Sequence, residues 1–331
     1  MTTRRRATAR AGANIALVKY WGKRNERLRL PWNGSISLTL DGLETVTSVE
    51  LDRSLERDRL FIDGTEREGR DVERVGHFLD LVRGAGATAP KAIVDSRSNV
   101  PLGAGLASSA AAFAALALAA AAAYGRDLTR RELSILARRG SGSACRSIFG
   151  GFVEWRRGER ADGEDSYAEP LLAPEDWAVA MAIAVVHKGA KAVGSTEGMK
   201  RSTEAAGYPH WLATVEADLA ACRRGVLAKS LALVGLVAES NATKMHLAAA
   251  SAHPPVLYWT DATARIVTAV GRLRERHGVE AYFTVDAGPN VAVLCNAGDL
   301  ERVAAFLEGI EGVERVLRCP AGRDAEIVCQ P

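Results

Sequence analysis

Cysteine is scarce in this chain and poorly placed for cross-linking: 331 residues hold five, at 145, 222, 295, 319 and 329. An odd, scattered set without paired spacing excludes a disulfide framework and a cysteine-based zinc site. It fits reduced thiols in the cytoplasm. An excess of one charge sign is missing too. Lysine and arginine number 43 against 40 acidic residues, and a net charge of +3 gives no bulk electrostatic case for a nucleic acid partner. The six histidines, at 77, 187, 210, 246, 253 and 277, show no metal-ligand spacing. No apolar segment follows the basic run Arg4-Arg5-Arg6, so a secretory leader is not expected. Without secretion, Asn33-Gly34-Ser35 and Asn241-Ala242-Thr243 have no bearing as glycosylation sites. The one long apolar run, residues 110–124, is nearly all alanine apart from Phe113, Leu116 and Leu118. It is short for a bilayer span and alanine contributes little transfer energy, so no membrane partner is expected. Alanine's helix propensity marks a buried central helix instead.

What is present is a globular composition, 47% hydrophobic and 25% charged, long enough for two medium domains. Strands and helices alternate in an α+β pattern. Segments 15–19, 37–40 and 45–51 read as strands rich in aliphatic and β-branched residues, and 59–63 runs into a turn at Gly64. Residues 72–82 carry helical periodicity, with Val72, Val75, Phe78, Leu79 and Val82 on one face. A short strand at 90–95 precedes the alanine-rich helix. Thr129-Arg130-Arg131-Glu132 is a capping box, opening a helix that Gly140 stops. A buried-type strand at 178–186 begins the second half. Helices are expected at 209–220 and 229–248. Asp261 caps another, with Ile266, Val267, Val270 and Leu273 inward, and Asp299 caps the last. Strands at 281–285 and 291–295 flank a loop, and 313–317 returns as a strand. The expected division is 1–180 and 181–331.

Four segments carry chemistry. In Arg138-Arg139-Gly140-Ser141-Gly142-Ser143-Ala144-Cys145-Arg146-Ser147, small residues with free amides and hydroxyls sit between arginines, a cradle for a multiply charged oxyanion. Read alone, it is equally a solvated Gly/Ser loop. Pro101-Leu102-Gly103-Ala104-Gly105-Leu106-Ala107-Ser108-Ser109 follows a strand and opens the alanine-rich helix. Its glycines and the helix N-terminus suit nucleotide phosphates, and its serines suit phosphate or Mg2+. It is not a Walker A loop, because no Gly-Lys-Ser/Thr closes it, and a tightly packed turn is the plainer alternative. Lys19 and Lys23 bracket Tyr20-Trp21-Gly22 at a strand end, giving cationic and hydroxyl donors for an acidic small molecule. Asp286 opens a loop of small residues, placed to orient or deprotonate a hydroxyl, although a lone loop aspartate is more often a turn former.

Taken together these segments resemble the ATP-dependent mevalonate diphosphate decarboxylases of the GHMP kinase superfamily. The resemblance rests on residues 14–23 (Asn-Ile-Ala-Leu-Val-Lys-Tyr-Trp-Gly-Lys), 105–110, 138–147 with 150–155, 193–199, Pro254-Pro255 and 286–290. It implies an N-terminal domain like ribosomal protein S5 domain 2 and a ferredoxin-like C-terminal domain, with the active site between them. It further implies ATP at Ser98, Asn99, Gly103, Ala104, Gly105, Leu106, Ala107, Ser108 and Ser109, with Mg2+ arriving on ATP near Ser108. Tyr20, Trp21, Gly22, Lys23, Ser141, Gly142, Ser143, Ala144, Cys145, Ser195 and Thr196 match the segments that hold the substrate. Lys19, Arg146 and Asp286 match the catalytic group, and a homodimer is the common state of relatives. Gly34, Leu102-Gly103 and Lys244-Met245-His246 depart from the family pattern near substrate or nucleotide, which leaves a mevalonate 5-phosphate decarboxylase or a 3-kinase as neighbouring alternatives. A silent binder of anionic ligands is the reading from another class.

Overall fold

The computed structural model describes residues 5–84, 89–100, 108–186 and 193–329. Two sheets organise the chain. The first half supplies β1 (Arg6–Val18), β2 (Lys23–Asn25), β3 (Leu30–Pro31), β4 (Ser35–Asp52), β5 (Arg59–Ile62), β6 (Thr65–Arg67), β7 (Lys91–Ser98), β8 (Phe152–Trp155) and β9 (Ala168–Leu172). Its helices are α1 (Arg70–Arg83), α2 (Ser108–Ala123) and α3 (Arg130–Gly140), followed by a 3-10 helix over Gly142–Ile148. The second half adds β10 (Val179–Val186), β11 (Ala281–Val285), β12 (Val291–Asn296), β13 (Val313–Pro320) and β14 (Glu326–Cys329). Between and after them lie α4 (Ser195–Thr203), α5 (Tyr208–Leu227), α6 (Leu231–Ala250), α7 (Asp261–His277) and α8 (Leu300–Glu308).

The larger sheet runs β14-β1-β4-β7-β5-β6, with β8 and β9 extending from β4. Sequence reading expected two strands at 37–40 and 45–51. They are one strand, 18 residues long, whose first half pairs β8 and whose second half pairs β7. Gly42, at φ 76°, lets the strand bend without breaking, and the β1 register shifts opposite it between Gly12 and Asn14. Helix α2 packs on this sheet. Its alanines face Ala7, Ala9 and Ala11 of β1, all buried, and small side chains at these positions on both partners permit close approach. Thr129 caps α3 with both bonds of the box in place.

The smaller sheet is antiparallel, ordered β11-β12-β10-β13. Setting aside α4–α6, its chain order β10-α7-β11-β12-α8-β13 is the βαββαβ order of a ferredoxin-like unit. The cap of α7 is Thr260, in a box with Thr263, not the expected Asp261, which is the first helical residue. Asp299 stands at the start of α8 without a side-chain capping bond. Two features cross the boundary expected near residue 180. β14 pairs with β1 in the larger sheet. One buried cluster also joins Ile15 and Leu17 of β1, Leu38 of β4, Val215 and Leu219 of α5, Met245 of α6 and Met181 of β10. No helix among the described residues is long and apolar enough to cross a membrane.

Candidate active site

The end of β1 delivers Lys19 and the end of β11 delivers Asp286, residues 267 positions apart in the chain. Lys19 Nζ donates to Asp286 Oδ1 at 2.5 Å and to the Ala16 carbonyl at 2.8 Å. The lysine is 2% exposed while the carboxylate keeps 22% of its side chain open. Burial pushes the Lys19 pKa down, Asp286 opposes that shift, and Arg146 adds to it. The backbone around Lys19 is fixed as well: its N–H donates to Asn241 Oδ1, and its carbonyl accepts from Asn33 Nδ2, each at 2.8 Å.

Arg146 sits in the 3-10 helix, buried and held among the described residues by neutral acceptors. Nε donates to Ser37 Oγ and Nη1 to Ser35 Oγ, while Nε and Nη2 share Asn14 Oδ1. Asn14 in turn donates to the Ser143 carbonyl and Ser147 Oγ. A buried guanidinium with no ion pair among the described residues is only partly compensated, here through the Asp286 charge. Its pKa is lowered by burial, and the arrangement suits a ligand anion that completes the pair.

Both side chains border a cavity of about 600 Å3. Lys19, Lys23, Arg29, Arg70, Arg74 and Arg146 line it against Glu197 and Asp286, so its walls favour a multiply charged anion. Tyr20 closes one side with its ring 4.6 Å from that of Trp155. The Tyr20 hydroxyl is buried without a hydrogen-bond partner among the described residues, and desolvation raises its pKa. Ser141, Gly142 and Ser143 form the floor, and Ser141 Oγ lies 3.1 Å from Ser109 Oγ of α2. Ser195 and Thr196, in the first turn of α4, form the facing wall with Met199.

Not every expected residue reaches the cavity. Trp21 and Lys23 do, with Lys23 Nζ bonded to Glu26 Oε2 at 2.7 Å. Gly22 lies behind them at φ 100°, where a Cβ would fall 2.1 Å from the Tyr208 hydroxyl. Ala144 and Cys145 are fully buried beneath the floor, and Cys145 Sγ donates to the Gly142 carbonyl. Burial pushes the Cys145 thiol up to about 12. Arg138 is not an anion clamp: it is buried and donates to the carbonyls of Leu28 and Gly163.

Ser98 and Asn99 lie away from this cavity. Asn99 bonds the backbone of Glu44 and Gly42, and Ser98 Oγ pairs with Thr45 Oγ1. Ser108 and Ser109 line the cavity at the start of α2, where free N–H groups suit phosphate. Gly103, Ala104, Gly105, Leu106 and Ala107 lie outside the described residues. The unpaired Arg146 and the orphan Tyr20 hydroxyl fit phosphorylated ligands. No group of three His, Cys, Asp or Glu that would hold a resident metal occurs among the described residues.

Sequence reading missed Asn14, Arg29, Arg70 and Arg74. Arg70 and Arg74 stand four apart at the start of α1, where the helix dipole disfavours cations. That misplacement was the available signal. Burial, with the nearby Arg29 charge, pushes Arg74 down to about 10. Arg74 donates to the Gly140 carbonyl and lies over the Phe113 ring.

A mixed α+β chain with an anion cradle, a buried lysine–aspartate pair and an unpaired arginine in one cleft defines a phosphate-handling small-molecule enzyme. Residues 11–168 match the diphosphomevalonate decarboxylase-like N-terminal domain, and residues 181–319 match the mevalonate 5-diphosphate decarboxylase C-terminal domain. The diphosphomevalonate decarboxylase of Bos taurus is 38% identical over 86% of this chain and 76% of its own length. The mevalonate diphosphate decarboxylase of Staphylococcus aureus superposes with a TM-score of 0.93 at 36% identity, covering 99% of both chains. A complex of MDDEF with MVAPP, AMPPCP and magnesium superposes with a TM-score of 0.90 at 40% identity, over 98% of this chain and 99% of that one. The chain belongs to the diphosphomevalonate decarboxylase family, with its GHMP-kinase-type fold.

Proposed function

We propose that this chain uses ATP to phosphorylate the 3-hydroxyl of mevalonate 5-diphosphate and then decarboxylates it, giving isopentenyl diphosphate, ADP, phosphate and CO2. The relatives named above are named for decarboxylating diphosphomevalonate, and a structural relative was captured with MVAPP, AMPPCP and magnesium. The observation that carries the residue roles is the convergence of the 2.5 Å Lys19–Asp286 contact and the unpaired Arg146 on one cationic cavity.

A tertiary alcohol is a weak nucleophile and a poor leaving group. Asp286 accepts its proton as the oxygen takes the terminal phosphoryl group of ATP, and Lys19 holds that carboxylate in place. Phosphate then departs with the C–O electron pair, and positive charge develops at the tertiary carbon. The C–C bond to the carboxylate breaks toward that carbon, releasing CO2 and leaving the double bond. Arg146 holds the departing carboxylate in line. Lys23, Ser141, Ser143, Ser195 and Thr196 bind the diphosphate, joined by Arg29, Arg70 and Arg74. Mg2+ neutralises ATP phosphate charge when bound, with Ser108 at hand as a hydroxyl donor. Cytoplasmic residence is supported by Cys145, Cys222, Cys295 and Cys319, all buried and free. A homodimer follows the family pattern and is checked by sedimentation.

The test is release of ADP and CO2 from purified protein with Mg-ATP and either mevalonate 5-diphosphate or mevalonate 5-phosphate. Equal yields of both products from the diphosphate support the proposal, and their loss in folded Asp286→Ala supports the assigned roles. Preference for the monophosphate, ADP without CO2, or neither product overturns the stated function.

A further inference from the structure

Helix α6 touches the backbone beneath both reacting side chains. Asn241, fully buried, accepts the Lys19 N–H through Oδ1 at 2.8 Å. Five residues on, His246 Nε2 lies 3.1 Å from the carbonyl of Val285, the residue immediately before Asp286. A carbonyl only accepts, so Nε2 carries the proton of that bond. The imidazole is wedged between the rings of Tyr258 and Trp259, at 6.0 and 5.5 Å. Asn241 is itself oriented: its Nδ2 donates to Asp218 Oδ2 at 2.8 Å, and Lys244 Nζ holds the same oxygen at 2.6 Å. Neither Asn241 nor His246 lines the cavity, so neither is placed to touch substrate.

We infer that Asn241 and His246 are positioning residues. One helix holds the backbone of Lys19 with the first and the backbone leading into Asp286 with the second, and thereby sets the contact between them. The inference rests on the catalytic roles proposed above for that pair. Among the described residues no backbone ladder joins these two strand ends, which meet through the bond from Thr284 Oγ1 to the Ala16 carbonyl at 3.2 Å, and α6 supplies the rigid element that touches the backbone of both. Burial and the Lys19 charge push His246 down to about 4, so near neutral pH it stays uncharged and keeps one fixed tautomer. The charged groups facing it are Lys19 and Asp286; those facing Lys19 are Asp286 and Arg146.

The experiment compares His246→Phe, His246→Gln and Asn241→Ser with wild type, reading kcat, KM for mevalonate 5-diphosphate, and the pH profile of kcat. Misplacing reacting groups by about 1 Å costs on the order of 100-fold, so kcat of His246→Phe is expected to fall about 30-fold or more. KM is expected to stay within about threefold, since substrate contacts are intact. A looser pair gives Lys19 less support from Asp286, so the basic limb of the profile moves to lower pH in His246→Phe and Asn241→Ser. His246→Gln retains an N–H donor and is expected to recover most of kcat. Near wild-type kcat in folded His246→Phe, an unshifted basic limb, or a KM rise matching the kcat loss overturns the inference. Should His246→Phe not fold, Asn241→Ser is judged on the same readouts. An inactive wild type would sink the functional proposal itself, whereas active wild type with unaffected variants sinks only this inference.

Discussion

Replacing Asp286 by asparagine strands an ammonium. Lys19 is 2% exposed, and with the carboxylate charge gone its acceptors are neutral ones, the Ala16 carbonyl and the amide oxygen of the new side chain. Removing one partner of a fully buried pair costs about 3–5 kcal/mol, and water reaching the 22% exposed Asp286 lowers that to about 2–3 kcal/mol here. Burial already depresses the Lys19 pKa, and the substitution deepens that depression. The unfolded chain then binds more protons than the folded one between the depressed folded value and the ordinary lysine value of 10.5. Stability of Asp286→Asn therefore rises toward wild type as pH increases from neutral to alkaline. Lys19→Met combined with Asp286→Asn removes both charges, and the cycle should close with about 2 kcal/mol of coupling. Urea unfolding followed by tryptophan fluorescence, run at two pH values, measures all of these quantities. Additivity within about 0.5 kcal/mol, with no pH dependence of the Asp286→Asn deficit, would refute the buried-pair reasoning.

Further outcomes follow from other parts of the site. Arg74→Ala removes a partly desolvated cation from the cavity wall. It should raise KM for the diphosphate about tenfold or more while affecting the monophosphate less, as steady-state kinetics on both compounds will report. Gly142→Ala places a methyl 2.7 Å from the Tyr20 hydroxyl, so that ring must shift. Substrate affinity by calorimetry should weaken by about 1–3 kcal/mol, and unchanged affinity would mean that Tyr20 does not border bound substrate. His246, ordinarily titrating near 6.5 and held near 4 in the fold, contributes stability that is complete above 6.5. That contribution is lost as pH falls to 4 and amounts at most to about 3 kcal/mol. His246→Phe should flatten that part of the stability profile in denaturant titrations.

The local signals in the sequence were legible because their physics is local. The Thr129 box needs only its own four residues, and the alanine run declares a buried helix by composition alone. Lys19, Arg146 and Asp286 were legible through motif resemblance. The closeness of Lys19 to the Asp286 carboxylate was likewise implied by the resemblance alone, since nothing in periodicity relates residues 267 positions apart. The unity of β4 was hidden because Asp41-Gly42 carries a turn signature, which pairing to strands on both sides overrides. Thr260 displaced Asp261 as a cap because a hydroxyl one residue earlier could complete a reciprocal pair with Thr263. Asn99, a polar residue beside the expected ligand loop, bonds the backbone of a neighbouring strand, a contact that local sequence does not reveal. Asn241 reads as an ordinary helix residue and His246 only as part of a departure from the family pattern, and the convergence of two strand ends on α6 is what relates them.

The pairing of β14 with β1 also bears on how the chain comes to be folded. It brings together residues such as Arg10 and Glu326, 316 positions apart, so the larger sheet keeps an open edge until everything in the smaller one has been synthesised. Until then β1 presents unpaired backbone groups beside a strip of alanines, a surface on which another strand could add. A ribosome-bound first half is therefore expected to hold its edge in the care of chaperones, and a fragment ending before residue 326 should associate with itself or with a supplied β14 peptide.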